Sequence, residues 1–476
     1  MKKRTFLKTM AAASSMAVLP TGMLAFQKNK RLRTAHIGVG NMGFEDLKAI
    51  ASHGEVDVVA LCDVDTTYLD KAQEQFPMAK TFADYREMLR TMKNDIDAVI
   101  VSTPDHTHAP ASLMAMEMGK PVYCQKPLTH HVSEARTMEA LAAKNKLVTQ
   151  MGIQVHSFYD YRLATLLIQS GIIGKVHTVR AWSPKDWGYD GPPPTGEDSI
   201  PDTLDWNLWL GTSPMRPYKQ DYYHPGNWRK LLDYGCGTLG DMGVHICDTP
   251  YNALELGVPL TIHNTCREPN GFGFPTQNVV TYEFPGTKYT TEKLKWVWYD
   301  GPGAPSQHPE LMLPGQKDHS GNKSTSENEA SMEDKMSLDA NVAKQGELPE
   351  QGAMFIGEEG RLLLPHFMQL PQKIVGDEYV DISKEIAQIS NEHNLGEPIR
   401  NYDSEGPKHY HQFVDACLGK GECSAPFSYA AKLTETILLG VIAGRFPNRT
   451  LHWDAEKGLF DEQEANVFLN APYREF

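Results

Sequence analysis

The chain has 476 residues, 41% of them hydrophobic and 22% charged, and carries a formal net charge of −14. Such a chain is long enough for two or more packed cores and too apolar to be disordered. The acidic excess argues against nucleic acid, which calls for a basic face, and nothing after residue 26 is apolar and long enough to span a bilayer.

In chain order, Lys2, Lys3, Arg4 and Lys8 precede an Ala-rich apolar run over residues 10–24 and the small Ala25. That layout predicts an export signal over residues 1–25 and a periplasmic location. The stretch Lys3-Arg4-Thr5-Phe6-Leu7-Lys8 resembles a twin-arginine signal with Lys in place of the first Arg. From residue 32 strands and helices alternate. Strands are expected at 34–37, 56–62, 98–102, 121–124 and 147–151, with helical patterns up to 51 and at 68–75, 84–92, 109–118 and 133–145. This alternation is the signature of a doubly wound parallel sheet, so residues 32–152 read as a Rossmann-type α/β domain.

Beyond residue 153 the texture changes. A helix at 161–170 and a strand at 176–182 lead into a Pro/Gly/Trp-rich stretch at 183–228. Residues 277–283 and 293–299 alternate as half-buried strands do. Residues 153–476 are therefore expected to form an α+β domain with a large, open, mostly antiparallel sheet. A polar loop is expected at about 301–351 and closing helices within 409–443. Seven scattered cysteines without a CxxC pair support neither a disulfide framework nor a zinc cage.

Four stretches carry chemistry. Gly38-Val39-Gly40-Asn41-Met42-Gly43 follows a strand and opens a helix, the context in which GxGxxG receives a dinucleotide pyrophosphate. Asp63 ends the next strand, where a carboxylate binds the ribose and favours NAD over NADP. Ser102, Thr103, Pro104, His106 and His108 leave another strand at its carboxyl end, where ligands bind in this fold. Lys126, at the next such crossing, is placed to stabilise a developing alkoxide. Finally Asp241, His245 and Asp248 fall at i, i+4 and i+7, on one face of a helix. A base tuned by a carboxylate, a metal site and a histidine satisfied in a packing face are all compatible with that spacing.

Taken in this order, the glycine loop, Asp63, the Ser-Thr-Pro-Asp-His-Thr-His run, Lys126-Pro127 and Asp241-x-x-x-His245 resemble the Gfo/Idh/MocA oxidoreductases. Trp206-Asn207-Leu208-Trp209-Leu210-Gly211 and Trp228-Arg229 resemble an exported bacterial subgroup. The resemblance implies NAD, held by Gly38, Gly40, Asn41, Met42, Gly43, Asp63, Ser102, Thr103, Pro104, His106, His108, Gln125 and Gln154. It implies Lys126, Asp241 and His245 as catalytic residues, Asp241 orienting the imidazole, with no metal. Substrate is expected against Lys126, His156, Trp228, Arg229, Asp241 and His245. One departure is Gln125, where the family's Glu-Lys-Pro carries a carboxylate. The implied activity is oxidation of a ring hydroxyl, at the 3-position, of a sugar or glycoside by an exported homo-oligomer with tightly bound cofactor. Two alternatives are an NAD-dependent glycoside hydrolase working through a 3-keto intermediate, as the family's N-acetylgalactosaminidases do, and a non-catalytic sugar-binding protein. The aromatic residues between Trp182 and Trp228 suit a sugar platform or plain core packing.

Overall fold

Six short strands, rich in Val, Ile and Ala and buried on both faces, form the first sheet of the computed structural model, which describes residues 31–316, 347–470 and 472–476. They are β1 (Leu32–Ile37), β2 (Val56–Cys62), β3 (Lys80–Phe82), β4 (Ala98–Val101), β5 (Val122–Gln125) and β6 (Thr149–Gly152). All pair in parallel, in the order β3-β2-β1-β4-β5-β6. Helices α1 (Met42–Ala51), α2 (Thr66–Gln75), α3 (Tyr85–Thr91), α4 (Asp105–Glu117) and α5 (Val132–Asn145) connect them. The strand order reverses between β1 and β4, which opens a crevice at the carboxyl ends of these strands. The export signal expected at 1–25 lies outside the described residues.

The second sheet has ten strands in the order β14-β13-β12-β11-β7-β10-β9-β8-β15-β16. They are β7 (Val176–Ser183), β8 (Thr261–Thr265), β9 (Asn278–Pro285), β10 (Thr290–Asp300), β11 (Gln351–Gly357), β12 (Gly360–His366), β13 (Gln372–Val375), β14 (Glu378–Val380), β15 (Thr450–Asp454) and β16 (Leu459–Phe460). β7 and β10 run parallel and the other pairings are antiparallel. Period-two alternation turns Tyr282, Phe284, Trp296, Trp298 and Phe355 toward one face. There they join one core with α6 (Tyr159–Gln169), α8 (Val244–Ala253) and the helix Phe427–Ala443. On the opposite face Trp182, Val297, Tyr299, Met354 and Ile356 meet Leu311 and Leu313. Those two leucines come from the stretch expected to be a polar loop. Its first part is instead pinned on the sheet, where Arg180 bonds Glu310 and His308 at 2.6 and 2.7 Å. Residues 317–346 lie outside the described residues.

Two later segments return to the first domain. The helix Tyr402–Cys417 puts Tyr410, Phe413 and Val414 into a cluster with Leu32, Ile50, Ile100 and Tyr123. The aromatic stretch forms a separate cluster in which Trp206, Trp209, Tyr218, Tyr223, Trp228 and Tyr234 pack on one another, with Trp206 and Trp209 stacked at 4.8 Å. Trp182 is fully buried in the sheet core and Trp228 is 7% exposed, so most of both rings packs the fold. Among the described residues no helix is long and apolar enough to cross a membrane.

Candidate active site

The glycine loop has the geometry a pyrophosphate needs. Gly38 has φ +80°, and a Cβ there would lie 2.7 Å from the Ser102 carbonyl oxygen. A Cβ on Gly43 would lie 2.2 Å from the Gly38 carbonyl oxygen, so α1 can approach β1 only without one. A Cβ on Gly40 would stand 2.6 Å from the Tyr68 ring. Asn41, at the N-cap of α1, makes no side-chain capping bond; the Gly43 and Phe44 N–H groups bond back to the Gly40 and Asn41 carbonyls, so what the helix offers an anion is its positive dipole end. The Asp63 carboxylate accepts N–H bonds from Val39 (2.8 Å) and Asp65 (3.0 Å), which hold it at the mouth of the loop. The buried Thr103 hydroxyl has no partner. These features fit a dinucleotide.

Ser102, Gln125 and Gln154 converge on a residue that the spacing of motifs gives no reason to select. Asp46, fully buried on α1, accepts from Ser102 Oγ (2.6 Å), Gln125 Nε2 (2.9 Å) and Tyr410 Oη (2.7 Å). Gln154 Nε2 donates to the same Tyr410 hydroxyl at 2.7 Å. Gln125 Oε1 accepts the Lys126 backbone N–H at 3.1 Å. The carboxylate missing at position 125 thus reappears on a neighbouring element, one residue further from Lys126. Burial pushes the Asp46 carboxyl up to about 6, against the three donors. Asp46 was legible in one respect. It sits among Gly43, Leu47 and Ile50 on the buried face of α1, where apolar periodicity leaves no place for an acid.

His106 and His108 differ from their expected cofactor role. His106 is buried against Trp209 and Tyr234, with Nε2 on the Trp209 carbonyl at 3.0 Å. His108 spans the Pro127 and Thr103 carbonyls at 2.8 Å each, tying the β4 turn to the β5 turn. Both rings are held by protein carbonyls, and the Thr103 hydroxyl beside them has no partner.

At the end of β5, Lys126 Nζ donates to Asp241 Oδ1 at 2.7 Å. Trp187 Nε1 donates to Asp241 Oδ2 at 2.6 Å, and Arg229 and Lys185 each reach the same carboxylate at 3.2 Å. Burial pushes the Asp241 carboxyl up, but Lys126, Arg229 and Lys185 together hold it well below the usual range. Burial lowers Lys126, and the neighbouring Arg229 and Lys185 add to that, while Asp241 opposes. His245 is pressed far below the ordinary imidazole value by burial and then by the Lys126 charge, so its ring is neutral. Its Nδ1 is buried without a hydrogen-bond partner.

The Asp241 carboxylate is taken up by Lys126 and Trp187 and makes no hydrogen bond to His245, although its charge still acts on that imidazole. Residues Leu239–Gly243 form a π-helical turn before the helix Val244–Ala253. Asp248 is also diverted. It binds His156 Nδ1 at 2.9 Å and accepts from Tyr429 Oη at 2.6 Å, which raises the His156 pKa against burial. Among the described residues no group of three His, Cys, Asp or Glu side chains is arranged to hold a metal ion. Arg229 stands at the site, while its neighbour Trp228 lies under it at 4.4 Å as packing. Lys185, Trp187 and His366 were not selected from sequence. The first two lie in a stretch whose Pro and Gly content hides any periodicity, and His366 ends a strand far along the chain.

The glycine loop, the crevice of the parallel sheet and the second sheet define a two-domain α/β protein built to receive a dinucleotide. Residues 32–153 match the oxidoreductase family's NAD-binding Rossmann fold, and residues 163–256 match the same family's C-terminal α/β domain. The chain thus carries both domains of the Gfo/Idh/MocA oxidoreductase family, and its cofactor is NAD. It is 33% identical over 134 residues to a glycosyl hydrolase family 109 protein of Stenotrophomonas maltophilia, covering 26% of this chain and 29% of that protein. It is 32% identical over 149 residues to an inositol 2-dehydrogenase of Rhodococcus erythropolis, covering 31% of this chain and 42% of that one. These alignments span less than half of either relative. In fold it is similar to the oxidoreductase domain protein of Kribbella flavida, with a TM-score of 0.59 at 18% identity over 89% of this chain and 99% of that one.

Proposed function

We propose that the protein oxidises a ring hydroxyl, at the 3-position, of a sugar or glycoside in the periplasm, working as a homo-oligomer with tightly held NAD. The observation that carries the reading is the pairing of Lys126 Nζ with Asp241 at 2.7 Å beside a neutral His245 whose Nδ1 has no partner. Both lie at the carboxyl edge of the cofactor sheet. Bound NAD supplies a hydride acceptor. A hydroxyl docked here loses its proton to His245 while Lys126, held in place by Asp241, stabilises the oxygen's growing negative charge. Asp241 thereby acts on the lysine and leaves the imidazole free to receive the proton.

Tight retention is supported by the aromatic stretch, which closes over the end of β2. His224 Nε2 bonds Asp65 at 2.9 Å, Thr66 N–H donates to the Thr203 carbonyl and Asp205 N–H to the Val64 carbonyl, both at 2.9 Å. Export is supported by the basic and apolar layout of residues 1–25. A redox-neutral glycosidase is the second reading, favoured by the family 109 likeness. A carbonyl at the 3-position acidifies the adjacent proton, which permits loss of the glycosidic group and later return of the hydride. The deciding experiment incubates the NAD-loaded protein with a panel of glycosides and assays both products. A 3-keto glycoside with NADH supports the oxidoreductase; free sugar without net NADH supports the hydrolase; neither product from any glycoside overturns both.

A further inference from the structure

Asp241 is surrounded by more positive charge than its neighbourhood neutralises. Lys126 and Arg229 approach Oδ1 at 2.7 and 3.2 Å, and Lys185 approaches Oδ2 at 3.2 Å, where Trp187 already donates at 2.6 Å. The second carboxylate nearby is Asp105, fully buried and 3.8 Å from Arg229. Lys230 and Asp186 offset each other at the edge. His245 and His366 are neutral. Three cations against two carboxylates leave one positive charge, in a protein whose net charge is −14.

The surplus falls on the open side of the site. The Lys185 side chain is 40% exposed, against 12% for Lys126 and 7% for Asp241. Arg229 Nη1 is buried between Asp241 Oδ1 at 3.2 Å and Asp105 Oδ1 at 3.8 Å, while the side chain as a whole is 21% exposed. The accessible edge of the guanidinium, away from these carboxylates, is open to an arriving anion.

Resting on the sugar-oxidoreductase reading, we propose that the substrate is a sugar carrying a carboxylate, a uronic acid or its glycoside. Its carboxylate is received by Lys185 and the accessible edge of the Arg229 guanidinium. The hydroxyl to be oxidised then reaches Lys126 and His245 deeper in the crevice. A neutral hexose would leave that edge of Arg229 and Lys185 solvated, and so binds more weakly.

The test measures binding by calorimetry, in NAD-loaded protein, of three ligands: methyl glucuronide, methyl glucoside and glucose 6-phosphate. The glucuronide is expected to bind about 10–100-fold tighter than the glucoside, the range for one charge-assisted hydrogen bond. The preference should shrink at high salt. It should fall to a few-fold in Lys185→Gln and return in Lys185→Arg. Equal or tighter binding of the glucoside overturns the inference, and NADH formed from that glucoside would leave the oxidoreductase reading standing. Tighter binding of the phosphate ester overturns the carboxylate assignment. Selective binding of the glucuronide without NADH keeps the anion site and removes the oxidoreductase reading.

Discussion

Replacing Asp46 with Asn tests whether a carboxylate on the glycine-loop helix organises the nicotinamide end of the site. The carboxylate takes three donors, from Ser102, Gln125 and Tyr410. An amide keeps one acceptor oxygen and turns an N–H group toward donors. At least one buried donor is then unsatisfied, which costs about 1–3 kcal/mol. The pH dependence gives the sharper signature. Asp46 is raised from 3.8 to about 6 in the folded protein. It therefore binds a proton more tightly folded than unfolded. Its contribution to stability is fully present below pH 3.8 and declines as pH rises to about 6. The span between those values corresponds to about 3 kcal/mol. The stability of wild type minus that of Asp46→Asn should fall by that order between pH 4 and 6.5 and stay flat above. Urea unfolding at half-unit pH steps, with NAD present, reads it directly. Exchanging the groups in Asp46→Asn/Gln125→Glu should recover part of the loss, because it returns one carboxylate to the same network. A stability difference independent of pH, with no recovery in the double variant, would refute the argument.

Gly43→Ala places a Cβ 2.2 Å from the Gly38 carbonyl; NAD affinity, by fluorescence titration, is expected to fall at least about tenfold as α1 is pushed off β1. Asp63→Ala should weaken NAD more than NADP, because a 2′-hydroxyl uses that carboxylate and a 2′-phosphate does not; equal losses in parallel titrations would count against Asp63 at the ribose. N-terminal sequencing of the native protein should begin near residue 26 if residues 1–25 are a cleaved export signal, and a native chain beginning at Met1 would count against export.

Much of the fold was legible because its signals are local. The alternation of apolar runs and helical patterns over 32–152 placed every strand of the parallel sheet but β3, whose three residues are too short to show a period. The second sheet was read as antiparallel from two strands, β9 and β10. Strands β11 to β14 were missed behind the polar stretch they follow, although glycine turns at 357–360 and 376–377 separate them. The closing helix at Phe427–Ala443 was visible as a long apolar pattern. Nothing in the sequence says that the helix before it returns to the first domain to bring Tyr410 onto Asp46.

The site divides in the same way. Gly38, Gly43, Asp63 and Lys126 are positions where one residue type is needed at one place on a strand–turn–helix unit, so spacing exposes them. Asp241 and His245 were selected together by α-helical spacing, but that spacing does not say that Lys126 and Trp187, from other segments, take the Asp241 oxygens. Lys185 and Trp187 reach the site by tertiary contact with segments 50 or more residues away, which no local pattern encodes, and Asp46 betrays itself only as an acid on the apolar face of α1. Trp228 packs in the aromatic cluster beneath Arg229, as large rings near a site commonly do.

Single-turnover reduction of NAD by the wild type, Lys126→Met and His245→Asn tests the central claim most directly. Lys126→Met leaves Asp241 with Arg229, Lys185 and Trp187, so the site should stay folded and NAD should stay bound. Each variant is expected to lose about 10²–10⁴ in rate on an oxidised glycoside, as the loss of a general base or of an oxyanion-stabilising charge implies. Full NAD occupancy with near-native rates in both variants would contradict the account.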